Sequence, residues 1–198
     1  MRIVTANELG NWLSDGCVLE QDSRGPKVVR LQNGKFLKVF RSKRPLLARY
    51  RPEAKRFARN GQRLDALGVR TPNIIECIWL QREQGVSACL YEPLQGAALE
   101  TLFREQRERF DRLLPEFAAY IRSLHSSGIY FRSLHLGNVL LMQDGSFGLI
   151  DFLDLRIKSG DLSKGLVARN FEHLRNYLQR RNIEGFPWEK LIELYKRN

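Results

Sequence analysis

Between Glu92 and Gly96 the hydrophobic period of this chain changes, and that change limits the fold more than any other feature. Upstream, apolar residues come in short runs closed by turn dipeptides; downstream they recur at helical spacing. In "KVVRLQNGKFLKVFR" two β-rich runs flank Asn33-Gly34, a pair that tolerates positive φ at both centres of a type I′ turn. A hairpin is expected there, with Lys38 on its second strand. "IIECIWLQREQGVSACLYEPL" reads as a second hairpin turning at Glu83 to Gly85. Past Gly96, "LETLFREQRERF" and "LPEFAAYIRSLHSSG" read as helical segments, with Phe117, Ile121 and Leu124 on one face and Gly128 as a stop. A third hairpin, "NVLLM" to "FGLID" around Asp144-Gly145, interrupts this helical half. The order predicts an α+β chain with a strand-rich lobe over residues 1–92 and a mainly helical lobe over 93–198.

Thr5 and Glu8 form a capping-box pattern ahead of a short helix through Trp12 and Leu13. The stretch from Arg41 to Arg63 holds nine Lys and Arg residues against one acid, Glu53. Pro52 suits a first helical position, Phe57, Leu64 and Leu67 recur at helical spacing, and Gly68 is a natural stop. A basic helix follows, which Asn60-Gly61 threatens to break or kink.

Across the chain, 33 Lys and Arg oppose 22 Asp and Glu, a net charge of +11 that favours a polyanionic partner. Nucleic acid, an anionic membrane surface, a phosphorylated saccharide and a nucleotide all satisfy that sign. The three cysteines, Cys17, Cys77 and Cys89, have no CxxC spacing and fit a reducing, cytoplasmic compartment. No segment approaches the roughly 18 apolar residues of a spanning helix, and "MRIVTANELG" contains no apolar h-region. Membrane contact is therefore expected to be peripheral.

"LHSSGIYFRSLHLGNVLL" followed by "GLIDF" resembles the catalytic loop and metal-binding strand of the protein-kinase-like superfamily. It is most similar to the compact bacterial group that holds lipopolysaccharide-core sugar kinases and toluene-tolerance proteins, and it shares the LHxGN form with aminoglycoside and choline kinases. The resemblance implies a two-lobed minimal kinase-like fold, with a small antiparallel sheet and one helix in the first lobe. It implies ATP and magnesium (Mg2+) as cofactors.

By that resemblance, Asn138 and Asp151 are the metal ligands, oxygen donors suited to a hard cation that bridges phosphates. Lys38 matches the strand lysine that holds the α and β phosphates, with Glu53 as its helix partner, although the register that fits best puts Phe57 there. Glu92 and Leu94, in "LYEPLQG", match a hinge whose backbone meets adenine. His135 stands where related sugar kinases carry histidine, and two roles stay open for it: contact with the transferring phosphate, or an orienting hydrogen bond to backbone. Arg132 is retained beside it.

Three departures stand out. Gly25 alone represents the phosphate-covering glycine loop, and Phe131 replaces a histidine. Ser133 occupies the place of the carboxylate that accepts the substrate proton, a task a neutral hydroxyl cannot do unaided. Asp154 and His135 are alternative bases, and the spacing of neither assigns the role. The short stretch after Asp151 has no room for a protein-substrate subdomain.

The expected function is ATP- and magnesium-dependent phosphorylation of a sugar hydroxyl in lipopolysaccharide core biosynthesis. The rival is a pseudokinase, a nucleotide-binding regulatory or assembly protein of envelope biogenesis, for which Ser133 is the evidence. The basic helix and "ARNFEHLRNYLQRRN", with its Phe171, Leu174 and Leu178 stripe, would dock an anionic saccharide or lipid-linked sugar at the inner membrane. His173 there reads as a surface residue. Nucleic acid ranks last as a partner, because it would leave the loop constellation without a purpose.

Overall fold

The computed structural model describes residues 1–197. The chain divides into two compact units, Met1–Leu94 and a second that begins at Gln95.

The first unit is built on an antiparallel sheet of β1 (Cys17–Asp22), β2 (Gly25–Arg30), β3 (Phe36–Arg41), β4 (Asn73–Gln81) and β5 (Val86–Glu92), in the order β1-β2-β3-β5-β4. Side chains alternate between its faces. Val29, Leu37, Val39, Ile78 and Ala88 form a core on one face, covered by Leu9, Trp12 and Leu13 of α1 (Ala6–Ser14). Thr5 Oγ1 accepts from the Glu8 N–H at 3.2 Å, the expected cap, while the Glu8 carboxylate turns to Arg2 instead of closing the box. On the other face, Lys38 and Phe40 lie under α3 (Glu53–Asp65), where the Phe57 ring packs 5.4 Å from Phe40 and 6.5 Å from Tyr91.

Local details differ from the sequence expectation. The β2–β3 turn is not type I′, because only Gly34 takes a positive φ, 78°. Gly34 N–H bonds Leu31 O at 3.0 Å and Leu31 N–H bonds Lys35 O at 2.8 Å, a three-residue loop with glycine in the left-handed position. The basic stretch forms two helices, since α2 (Pro45–Tyr50) precedes α3 and Pro52 becomes a cap. α3 runs unbroken through Asn60-Gly61, both buried, so tertiary packing overrides weak propensity.

The second unit starts with β6 (Ala97–Ala98), α4 (Leu99–Glu105) and α5 (Arg107–Ser126). The break between these helices falls at Gln106, and α5 continues through Pro115 because Phe110, Leu114, Phe117, Ile121 and Leu124 bury one continuous stripe. Gly128 ends it with φ 71°; a Cβ there would lie 2.4 Å from Lys158 O, so glycine is required twice over. β7 (Ile129–Tyr130), β8 (Val139–Leu141), β9 (Phe147–Leu149) and β10 (Arg156–Ile157) follow. α6 (Lys164–Arg180) and α7 (Trp188–Arg197) complete the described chain. Phe171, Leu174 and Leu178 are buried as their spacing predicts, whereas His173 is half-buried and meets Tyr130 Oη at 3.2 Å rather than lying free on the surface. Among the described residues no helix is long and apolar enough to cross a membrane.

Candidate active site

Two antiparallel pairings clamp the catalytic-type loop against the segment after the third hairpin. β7 pairs β10, with Tyr130 opposite Arg156, and β8 pairs β9, with Val139 opposite Leu149. Residues 131–138 and 150–155 are thus tied together at both ends. Ile150 N–H donates to Asn138 O at 3.0 Å, which sets Asn138 beside the residue preceding Asp151. Backbone pairing, not side-chain chemistry, produces this approach.

Asn138 is buried, and its Nδ2 donates to Ser133 O at 3.1 Å and to His135 Nε2 at 3.2 Å. Both bonds use the amide nitrogen, so Oδ1 remains the atom for a ligand. Asp151 takes φ 54°, the left-handed region, which Asp tolerates better than most residues and which turns the chain sharply after β9. Asn138 Oδ1 and the Asp151 carboxylate are hard oxygen donors, and a divalent ion held by two such groups completes its shell with water and phosphate oxygens. No group of three His, Cys, Asp or Glu side chains with metal-holding geometry occurs among the described residues.

His135 contacts the Asn138 side chain, not the backbone. Its ring stacks on Tyr177 with centroids 3.8 Å apart and planes 4° from parallel. Burial pushes the imidazole down to about 4, against the opposing effect of Asp151, so it is neutral at pH 7. Because Nε2 accepts from Asn138, the proton is assigned to Nδ1, which is buried and has no partner. Tyr177 in turn donates to Glu100, a buried carboxylate that also accepts from Arg104 at 3.0 Å and from Arg181 at 3.0 and 3.1 Å. Burial acts to raise the Glu100 carboxyl, but those donors hold it below its ordinary range. Gly137 permits this packing, since a Cβ would meet Tyr177 Oη at 2.7 Å.

Ser133 Oγ donates to Asp154 Oδ2 at 3.1 Å. Burial pushes the Asp154 carboxyl up, opposed by the Ser133 bond and the charge of Arg132, and its Oδ1 is buried without a partner. Arg132 itself is exposed, while Phe131 is fully buried. The Phe131 carbonyl accepts from Asn170 Nδ2 at 2.6 Å; Asn170 Oδ1 accepts from His125 Nε2 at 3.1 Å, and His125 Nδ1 meets Tyr195 Oη at 2.8 Å. This chain ties α5, α6 and α7 to the start of the loop.

The first unit holds the remaining candidates. Lys38 is buried, with Nζ 5.9 Å from the centre of the Phe57 ring. Glu53 makes its ion pair with Arg56, at 3.9 Å, rather than with Lys38, because it sits in the first turn of α3 and Phe57 occupies the next turn on that face. Glu92 is exposed at the end of β5 and accepts from Asn73 Nδ2 at 2.9 Å; Leu94 closes the unit half-buried. Gly25 opens β2 at φ 108°.

Sequence reasoning missed Glu100, Tyr177 and Asn170, which lie far from the loop in the chain and carry no motif. It weighed Asp154 but had no spacing that joined it to Ser133.

An antiparallel sheet unit followed by a helical unit with this clamped loop is a small kinase-like fold of two lobes. The model of the lipopolysaccharide kinase (Kdo/WaaP) family matches residues 30–195, and the chain belongs to that family. A comparison with curated proteins finds no match.

Proposed function

We propose that this protein transfers the γ-phosphate of ATP to a sugar hydroxyl of the lipopolysaccharide core, with magnesium as the metal. Family membership supports a sugar kinase of lipopolysaccharide biosynthesis. The observation that carries the chemistry is the clamped loop, in which Ser133 O and His135 Nε2 engage the Asn138 amide nitrogen and the Asn138 carbonyl accepts from Ile150 N–H, next to Asp151. Magnesium bound there would neutralise charge on the phosphates. Residues 1–92 form the nucleotide-binding lobe in this reading, with Lys38 on the α and β phosphates and the backbone at Glu92 and Leu94 facing adenine. Residues 93–198 bind the metal and the acceptor. Neutral His135, held by Tyr177, keeps the Asn138 amide turned so that Oδ1 faces the metal.

The same reading places the protein on the cytoplasmic side of the inner membrane. Leu46, Leu47 and Tyr50 of α2 are 72%, 49% and 86% exposed, and Lys43, Arg44 and Arg51 flank them, also exposed. Apolar tips among cations suit an anionic bilayer surface, to which each Lys or Arg contributes about 1 kcal/mol. Vesicles of phosphatidylglycerol should pull the protein down at low salt, and Leu46→Ser with Tyr50→Ser should release it. Equal sedimentation of the two forms would remove the membrane reading.

Melting with and without ATP and magnesium tests the site. A ligand at 100 times its dissociation constant stabilises the fold by about 2.7 kcal/mol. Wild type should show that shift and Asp151→Ala should lose it, together with transfer of labelled phosphate to extracted lipopolysaccharide core. Ser133 favours one second reading, a pseudokinase. A nucleotide-dependent shift without transfer under any condition would favour that alternative.

A further inference from the structure

One contact between the two clamped segments has no part in holding metal or nucleotide: Ser133 Oγ to Asp154 Oδ2, at 3.1 Å. Resting on the phosphotransferase reading, we propose that Ser133 and Asp154 together are the catalytic base. Ser133 relays the acceptor proton and Asp154 receives it.

The geometry suits a relay. As a donor to Asp154, the Ser133 hydroxyl still has lone pairs to accept a hydrogen bond from a substrate hydroxyl. Asn138 Nδ2 holds the Ser133 carbonyl at 3.1 Å, so the relay sits beside the amide whose oxygen faces the metal. Asp154 is not a solvated surface group; it is half-buried, and its Oδ1 has no hydrogen-bond partner. Arg132 is the cation acting on it and Asp151 the neighbouring anion.

The step balances. The acceptor O–H bond breaks, and its oxygen forms a bond to the γ-phosphorus of ATP. The bond from that phosphorus to the β,γ-bridging oxygen breaks, and its electron pair leaves on ADP. The acceptor proton moves to Ser133 Oγ while the proton of Ser133 moves to Asp154 Oδ2. Asp154 ends as a neutral acid and returns its proton to solvent after product leaves. Serine in place of aspartate thus moves the carboxylate one hydrogen bond further from the acceptor without removing it.

The test measures transfer from γ-labelled ATP to extracted lipopolysaccharide core, alongside the melting shift with ATP and magnesium. Asp154→Asn keeps an oxygen for Ser133 but cannot take a proton; its transfer rate should fall about 10² to 10⁴-fold with the melting shift retained. Ser133→Ala should lose at least about tenfold by the same reasoning. Adding Ser133→Asp to Asp154→Asn should restore transfer, because a carboxylate at position 133 needs no relay, and a merely structural Asp154 predicts no such rescue. An Asp154→Asn protein at wild-type rate, or a double variant no faster than Asp154→Asn, overturns the relay and leaves the phosphotransferase reading standing. A wild-type protein that binds ATP but transfers nothing overturns both.

Discussion

The loop of the second unit and the β3–α3 face of the first place their polar groups by different means. Residues 131–138 and 150–155 are stapled at both ends by strand pairs, and His125, Asn170 and Asn138 add side-chain bonds inside. Lys38 is placed by β3, and the register of one helix sets Phe57 against it and Glu53 a turn away. The difference shows where a fold can absorb substitution. A segment pinned by its backbone brings a carboxylate, Asp154, within one hydrogen bond of Ser133 although the two are 21 residues apart. A pairing made by helix register passes to whichever side chain the register delivers.

Three measurements bear on this difference between the two regions. The largest effect belongs to Phe57→Ala, which removes a 1%-exposed ring from between Phe40, Tyr91 and Lys38. It should cost about 3–5 kcal/mol in denaturant unfolding. A loss under about 1 kcal/mol would mean that α3 is not locked to the sheet by this ring.

Next is the pH response of the bond chain behind the loop. Burial pushes His125 down to about 4 from 6.5, so the folded state holds it neutral where the unfolded state takes up a proton. Its contribution is full above about pH 6.5 and is lost as pH falls towards 4, by about 3 kcal/mol over that window. Urea unfolding of wild type from pH 7 to pH 4.5 should show this slope, and His125→Leu should reduce it, leaving the share of His135, which burial also pushes down to about 4. An identical slope in the variant would take His125 out of the chain of support.

The smallest effect is expected at Glu53→Gln. With its ion pair to Arg56 at 3.9 Å and both side chains partly in solvent, the change should stay within about 0.5 kcal/mol and leave the ATP-dependent melting shift intact. Loss of that shift would restore Glu53 as the partner of Lys38 and erase the difference between the two regions.

Much of the architecture was legible because it is local. The three hairpins, the stop at Gly128 and the Phe171, Leu174 and Leu178 stripe each follow from a turn dipeptide, a glycine or a repeat within a few residues. The β2–β3 turn type was not, because Asn33-Gly34 serves both a two-residue and a three-residue loop and strand register chooses between them. The loop motif marked Asn138 and Asp151 as candidates by equally local signals. Glu100, Tyr177 and Asn170 were invisible, since a buried carboxylate, a stacked phenol and a bridging amide announce themselves only through partners many residues distant.

The order of strands and helices, the excess of positive charge and the presence of Ser133 in the loop were written in the amino acids themselves. That Ser133 meets Asp154 and that His135 is neutral on Tyr177 were settled by tertiary structure alone. The reason is range: propensity and turn chemistry act over a few neighbours, whereas a hydrogen bond or a ring stack needs distant segments brought within 3 to 4 Å by ladders and cores no single segment encodes.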